Sequence, residues 1–196
     1  MSKHRDVGHP IEIPQDTTPP EVGEDLGYID EDALMTPQTF GTFAHQAYEW
    51  AAEEHFDDVE SNRPVIVTKP DGTEAQGYID TFIDERIVVD YKSNYMPDWN
   101  VSDARRYGDQ HGQQVKEYVN SEGMSDDARG WIIATVPPES AEVRDAYADA
   151  ASMHDVGVKF AAGEHQEDVM DVVSEAVAES APPATESAAT DADTEG

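Results

Sequence analysis

Between two ends that show no apolar period, residues 36–178 alternate short apolar runs with stretches of helical spacing, in the order αβββαβαβα. Elements interleaved in this way bury their apolar sides as helices laid on a central sheet, so the expected class is α/β. Thr36-Pro37 opens the first helix, a cap residue followed by proline in the first turn. Phe40, Phe43, Ala44, Ala47, Tyr48 and Ala51 then recur at helical spacing as far as about Phe56. Val65-Ile66-Val67 predicts a short strand, Pro70-Asp71-Gly72 a tight turn, Gln76–Ile83 a second strand and Ile87–Lys92 a third. A polar break with Pro97 and Trp99 precedes a long amphipathic helix from Asp103 to about Ser121, closed near Gly123. A strand over Trp131–Val136, a helix over Glu139–Met153, a strand over Val156–Phe160 and a helix over Glu164–Ala178 complete the pattern. The expected sheet is central, mixed and hairpin-rich, with helices on its faces and with Val158 and Phe160 extending it.

The ends read differently. Residues 1–35 are punctuated by Pro10, Pro14, Pro19 and Pro20 and are expected to form a flexible arm. Residues 179–196 hold no aromatic or basic side chain and are expected to be a disordered acidic tail. The net charge is −31, from 43 acidic against 12 basic side chains, and the acids are spread along the whole chain. In dilute salt such a chain repels itself. At molar salt the Debye length falls to roughly 3 Å and the repulsion is screened, so composition points to a halophilic setting. With no cysteine, disulfides, thiolate zinc sites, cysteine-ligated clusters and cysteine nucleophiles are excluded. The start carries no apolar run of the signal-peptide kind, and no stretch approaches the ~20 apolar residues of a membrane span. A soluble, cytoplasmic protein is the expectation, with no membrane partner.

The chemistry-bearing segment is Asp90-Tyr91-Lys92, at the end of the apolar run Ile87-Val88-Val89. Strand side chains alternate, so Asp90 and Lys92 share a face. Lysine is scarce here, at positions 3, 69, 92, 116 and 159 only, yet one closes this strand. The preceding strand offers Gly77-Tyr78-Ile79-Asp80. A three-residue loop, Asp84-Glu85-Arg86, pairs Ile83 with Ile87 and brings Asp80 opposite Asp90, whereas a two-residue loop turns Asp80 to the other face. The site therefore requires an odd loop or a bulge. Two carboxylates and a lysine suit phosphodiester hydrolysis: carboxylates hold Mg²⁺ or Mn²⁺, the metal activates water, and the lysine orients that water or neutralises developing charge.

In these segments the chain resembles the PD-(D/E)XK (restriction-endonuclease-like) nuclease superfamily, and within it the RecB-like exonuclease branch. Gly77-Tyr78-Ile79-Asp80 matches its G-x-x-D strand and Asp90-Tyr91-Lys92-Ser93 its D-Y-K-T strand, with Ser93-Asn94 in place of threonine-glycine. Gln114-Val115-Lys116-Glu117-Tyr118 matches the Q-x-x-x-Y of the following helix, and Gly41-Thr42-Phe43-Ala44-His45 the G-x-x-x-H of the helix before the sheet. The resemblance covers roughly residues 36–136 and rests on four motifs in order. It implies metal ligands at His45, Asp80, Asp90 and the main-chain carbonyl of Tyr91. Lys92 becomes the catalytic lysine, and Gln114 and Tyr118 brace the site or touch the nucleic acid. It further implies DNA, single- or double-stranded, as substrate, Mg or Mn as cofactor, and any helicase or other repair-complex partner as a separate protein. The cysteine cluster of some RecB-like nucleases is absent.

Blander assignments compete. Asp90 and Lys92 can form a surface ion pair, His45 can be a packed or capping histidine, and Gln114 and Tyr118 can be ordinary helix surface and core edge. Glu49 and Glu53, one and two turns beyond His45, read best as a solvated acidic face. His111, Arg105 and Arg106 can contact phosphate, with solvation as the default. Trp99 and Tyr95 can stack on a base or cap the core. Two further readings of the whole chain stand beside a nuclease of repair, recombination or defence. One is a non-catalytic DNA-binding or assembly protein on a nuclease fold, the other a nuclease toxin of a conflict system.

Overall fold

The structure is a computed structural model that describes residues 37–69, 71–93, 96, 98–162 and 165–181, with the backbone alone for 37–43. The expected arm over 1–35, the cap at Thr36, and the tail beyond 181 lie outside the described residues, as do Pro70, Tyr95 and Pro97. The elements are α1 (Pro37–His55), β1 (Val59–Thr68), β2 (Glu74–Ile83), β3 (Ile87–Lys92), α2 (Val101–Val119), β4 (Arg129–Ala134), α3 (Ala141–Ser152), β5 (Val156–Phe160) and α4 (Gln166–Glu179). Their order is the one the apolar pattern predicts, and Glu179, assigned to the tail by composition, still belongs to α4.

The five strands lie side by side in chain order. The short turns after β1 and β2 return the chain antiparallel. β3, β4 and β5 run parallel, because each step between them crosses the sheet through a helix, α2 and then α3. The sheet is therefore mixed, with β3 at the seam between its antiparallel and parallel halves.

Helices cover both faces. On one face Val115 and Tyr118 of α2 and Val143, Ala146, Tyr147 and Ala151 of α3 pack on Val65, Val67, Phe82, Val88 and Ile132. On the other, Ala44, Tyr48 and Ala52 of α1 and Val169, Met170 and Val173 of α4 pack on Ile83, Ile87, Val89, Tyr91 and Ile133. β3 is buried from Ile87 to Tyr91 because both layers meet over it, which explains its near-continuous apolar sequence. Helices α2 and α3 approach closely at Gly108 and Gly112, where a Cβ would fall 2.4 Å from the Tyr147 carbonyl oxygen and 2.9 Å from Ala151 Cα.

Three strands differ in their bounds from the sequence expectation, β2 only in starting at Glu74 rather than Gln76. β1 starts at Val59 rather than Val65, because its polar first half pairs with the end of β2, Val59 opposite Ile83 and Ser61 opposite Thr81. Backbone pairing asks nothing of side-chain polarity on an exposed edge strand, and the same edge position tolerates Pro64. β4 spans Arg129–Ala134 rather than Trp131–Val136; its polar first residues pair with Ile87 and Val88, while Val136 leaves the sheet and accepts from Met96 N.

The alternation of β2 breaks once. Ala75 and Ile79 pack toward α2 and α3, but beyond Asp80 it is Phe82 that does so, while Ile83 joins the opposite cluster. The β1–β2 ladder lapses at Asn62 and Asp80, and Asn62 has a φ of 50°. The pairs on both sides keep one register, so neither strand gains a residue; the break is a local kink, and it lies at the candidate site.

Candidate functional site

The hairpin register is the one the site requires. Ile83 pairs with Ile87, Phe82 with Val88 and Thr81 with Val89, across a loop in which Asp84 and Glu85 both take positive φ. The ladder then stops one step short of Asp80 and Asp90. Asp80 reaches β3 with its carboxylate instead of its main chain: Oδ2 accepts from Tyr91 N at 2.7 Å. The same oxygen lies 3.4 Å from His45 Nδ1 on α1.

Asp90 and Lys92 point to the α2 side, as strand alternation dictates from Val88. Asp90 is buried, and its Oδ2 stands 2.5 Å from Lys92 Nζ. The two meet as a close, buried ion pair that lowers the Asp90 carboxyl and raises the Lys92 ammonium against the effect of burial. Lys92 Nζ also donates to Gln114 Oε1 at 3.0 Å, and Gln114 Nε2 donates to the Tyr118 hydroxyl at 2.7 Å. Tyr118 in turn rests against Gly77, where a Cβ would fall 2.6 Å from its ring. The glycine of G-x-x-D and the tyrosine of Q-x-x-x-Y are therefore in contact.

Tyr91 divides its roles between backbone and side chain. Its ring is buried under α1, tilted against Tyr48 at 5.4 Å, and its hydroxyl is 3.3 Å from Thr81 Oγ1. Its main chain carries the N–H that anchors Asp80.

The electrostatics bind these groups into one cluster. Burial pushes the Asp90 carboxyl up and nearby Asp80 adds to this, against the lowering pull of Lys92. Burial alone would depress Lys92, but Asp90 and Asp80 outweigh it and hold the ammonium charged. His45 is likewise depressed by burial, then carried above its ordinary value by Asp80 and Asp90. Asp80, beside His45 of α1, and Asp90, on the α2 side, thus lie toward opposite faces of the sheet and not on the one face that the hairpin register alone gives; the kink in β2 is the reason, and the two carboxylates still influence one another across the end of β2 and β3.

Residues outside the motifs divide clearly. Glu49, read from composition as part of a solvated face, is instead half-buried beside the site. Burial, and then Asp80, push its carboxyl up to about 7. Its position four residues from His45 was the signal, and the abundance of acids masked it. Glu53 is exposed. His111 contacts Tyr147 OH through Nδ1 at 2.7 Å, and burial followed by the Lys92 charge pushes it down to about 3. A neutral, internally bonded imidazole is no phosphate contact. Trp99 stacks on Tyr107 at 4.6 Å and packs against the core.

The donor set fits a hard divalent cation in one respect: the buried Asp90 carboxylate, met at Oδ2 by the Lys92 ammonium, lies within electrostatic reach of a second carboxylate, Asp80. His45 and Glu49 flank that second carboxylate. Among the described residues, no three His, Cys, Asp or Glu side chains gather closely enough to hold a metal by themselves. A site of this kind needs the main-chain carbonyl of Tyr91, water or substrate oxygens to complete it. No described helix is long and apolar enough to cross a membrane. Compared with protein-family models, curated proteins and solved structures, the chain matches none.

Proposed function

We propose that this chain is a Mg²⁺- or Mn²⁺-dependent nuclease with a PD-(D/E)XK core of the RecB-like kind, hydrolysing DNA phosphodiester bonds. One observation carries the reading: a charged lysine is held at the end of β3 between a buried carboxylate and a glutamine, with a second carboxylate fixed on the adjoining backbone N–H. Asp80, Asp90, His45 and the Tyr91 carbonyl would hold the cation. When bound, it would lower the pKa of a coordinated water and offset charge on the phosphate. Lys92 keeps its proton and presents its ammonium where a nucleophilic water or a phosphoryl oxygen would lie. Gln114 fixes the direction of that ammonium, and Tyr118, seated on Gly77, fixes Gln114. The Tyr91 N–H keeps the Asp80 carboxylate from rotating.

The test uses labelled linear and circular DNA in high KCl, with and without Mn²⁺, and the variants Lys92→Ala and Asp80→Asn. Metal-dependent cleavage lost in both variants, with circular dichroism unchanged, supports the reading. Cleavage retained by both sinks it. Loss of circles marks an endonuclease, erosion of linear ends alone an exonuclease.

A second reading, a non-catalytic DNA-binding or assembly protein on this fold, draws support from the pairing of His45 with Asp80 and Lys92 with Asp90. Those contacts partly compensate the charges without a cation. It expects DNA binding with no turnover and no response to divalent metal.

A further inference from the structure

The far half of the β1–β2 hairpin is covered on one face only. Val65, Val67 and Ile79 are buried toward α2 and α3, and Gly77 lies under Tyr118. Pro64, Ile66 and Thr68 of β1 and Glu74, Gln76 and Tyr78 of β2 alternate with them and are exposed on the opposite face. The register agrees, with Pro64 opposite Tyr78, Ile66 opposite Gln76 and Thr68 opposite Glu74. Two of the four large apolar side chains exposed among the described residues stand there as diagonal neighbours, Ile66 at 50% and Tyr78 at 49%. In a chain with 43 acidic side chains, these six positions carry one charge, Glu74, at the end next to the turn.

Tyr78 is held where it stands. Its hydroxyl accepts from Gln76 Nε2 at 2.9 Å, two residues back on the same face. Pro64 lies directly across from it on β1. An aromatic ring with a fastened tip and a rigid neighbour presents a flat face at little cost in side-chain freedom.

The same face leads into the candidate site. Asp80 follows Tyr78 by two residues, and its carboxylate turns to His45 of α1 on this side of the sheet. Two residues of strand span roughly 6.6 Å. That is about two steps of a stacked single strand at ~3.4 Å each.

We propose that Tyr78, with Pro64 and Ile66 beside it, is a stacking platform for an unpaired base of the strand whose scissile phosphate lies at the Asp80 end of the site. The proposal rests on the nuclease reading and supplies what that reading lacks, a source of strand affinity on a body of net charge −31. A base meets an uncharged, partly apolar surface here, and stacking survives the salt that screens phosphate contacts. Every base has a π face, so the platform is indifferent to sequence.

The test is binding of fluorescent single-stranded oligonucleotides by the full chain, read by anisotropy over a range of KCl without divalent metal, with KM for Mn²⁺-dependent cleavage beside it. Tyr78→Ala is expected to weaken binding and raise KM about five- to tenfold. The slope of log K against log salt should not change, because no phosphate contact is lost. Tyr78→Trp, which keeps a ring, should bind as the parent does or better. An abasic gap walked along the oligonucleotide should weaken the parent at one position and leave Tyr78→Ala indifferent there. Met153→Ala, 81% exposed just beyond α3, is the control and should change nothing. Tyr78→Ala that binds and cleaves as the parent does overturns the platform and leaves the nuclease reading standing, and so does a loss that Tyr78→Trp shares. A changed oligomeric state with strand affinity intact marks the face as an interface between copies and also overturns it. A parent protein that neither binds nor cleaves removes both.

Discussion

The Tyr118 ring stands so near Gly77 that a Cβ built on that glycine falls 2.6 Å from it. The Tyr118 hydroxyl accepts from Gln114, and Gln114 accepts from Lys92 Nζ. The absence of a side chain on β2 therefore sets, through two side chains on α2, where the ammonium at the end of β3 is held.

Gly77→Ala should accordingly act at a distance. The added methyl displaces the ring and costs about 1–3 kcal/mol of stability as an overpacked contact. Combined with Tyr118→Ala, the penalty of Gly77→Ala should largely vanish, and a double-mutant cycle of denaturation midpoints in high KCl measures that coupling. Strict additivity of the two changes would contradict the contact.

Divalent cations should stabilise the fold. Ligation by the folded state alone adds about 2.7 kcal/mol at a hundredfold excess over the dissociation constant. Mn²⁺ titrations followed by thermal melting should show a rising midpoint in the parent protein and none in Asp80→Asn or Asp90→Asn. A parent midpoint indifferent to Mn²⁺ and Mg²⁺ favours the non-catalytic reading.

His111 should make stability pH-dependent. Its folded pKa is pushed down to about 3 by burial and by Lys92, against an ordinary value of 6.5 in the unfolded chain. Between those values the unfolded chain binds a proton that the fold does not. The contribution is therefore fully present above 6.5 and is lost as pH falls toward about 3. From roughly pH 7.5 to 5.5 the loss is about 1 kcal/mol. Denaturation of the parent and of His111→Gln at matched salt isolates it, since only the parent should show this component.

The β2–β3 turn should be improvable without touching the site. Asp84 and Glu85 both adopt left-handed backbone, at φ of 52° and 54°. Aspartate tolerates that region better than glutamate, and Asp-Gly is a favoured pair in such hairpins. Glu85→Gly should raise stability by roughly 0.5–1 kcal/mol, with cleavage unchanged. A drop in the denaturation midpoint would show that Glu85 makes a contact worth more than its strain.

The element order and the exact bounds of β3 and β5 were legible in the chain. An apolar run of strand length between polar breaks leaves few alternatives, and the period-2 rule alone sets Asp90 and Lys92 on one face. The hairpin register stayed open between a two- and a three-residue loop, and the pairing of Ile83 with Ile87 settled it only in the structure. Other features depended on contacts between residues remote in sequence. The first half of β1 is strand because β2 supplies its hydrogen bonds, which its polar side chains do not announce. The kink at Asn62 and Asp80 turns a carboxylate that alternation alone would lay across from Asp90 into an anchor on Tyr91 N. Burial by neighbouring elements drew Glu49 into the site and gave His111 to Tyr147 rather than to a phosphate. Periodicity records which side chains a strand or helix presents together. Which of them are desolvated, and beside what charge, is set only when α1 and α2 close over the two faces of the sheet.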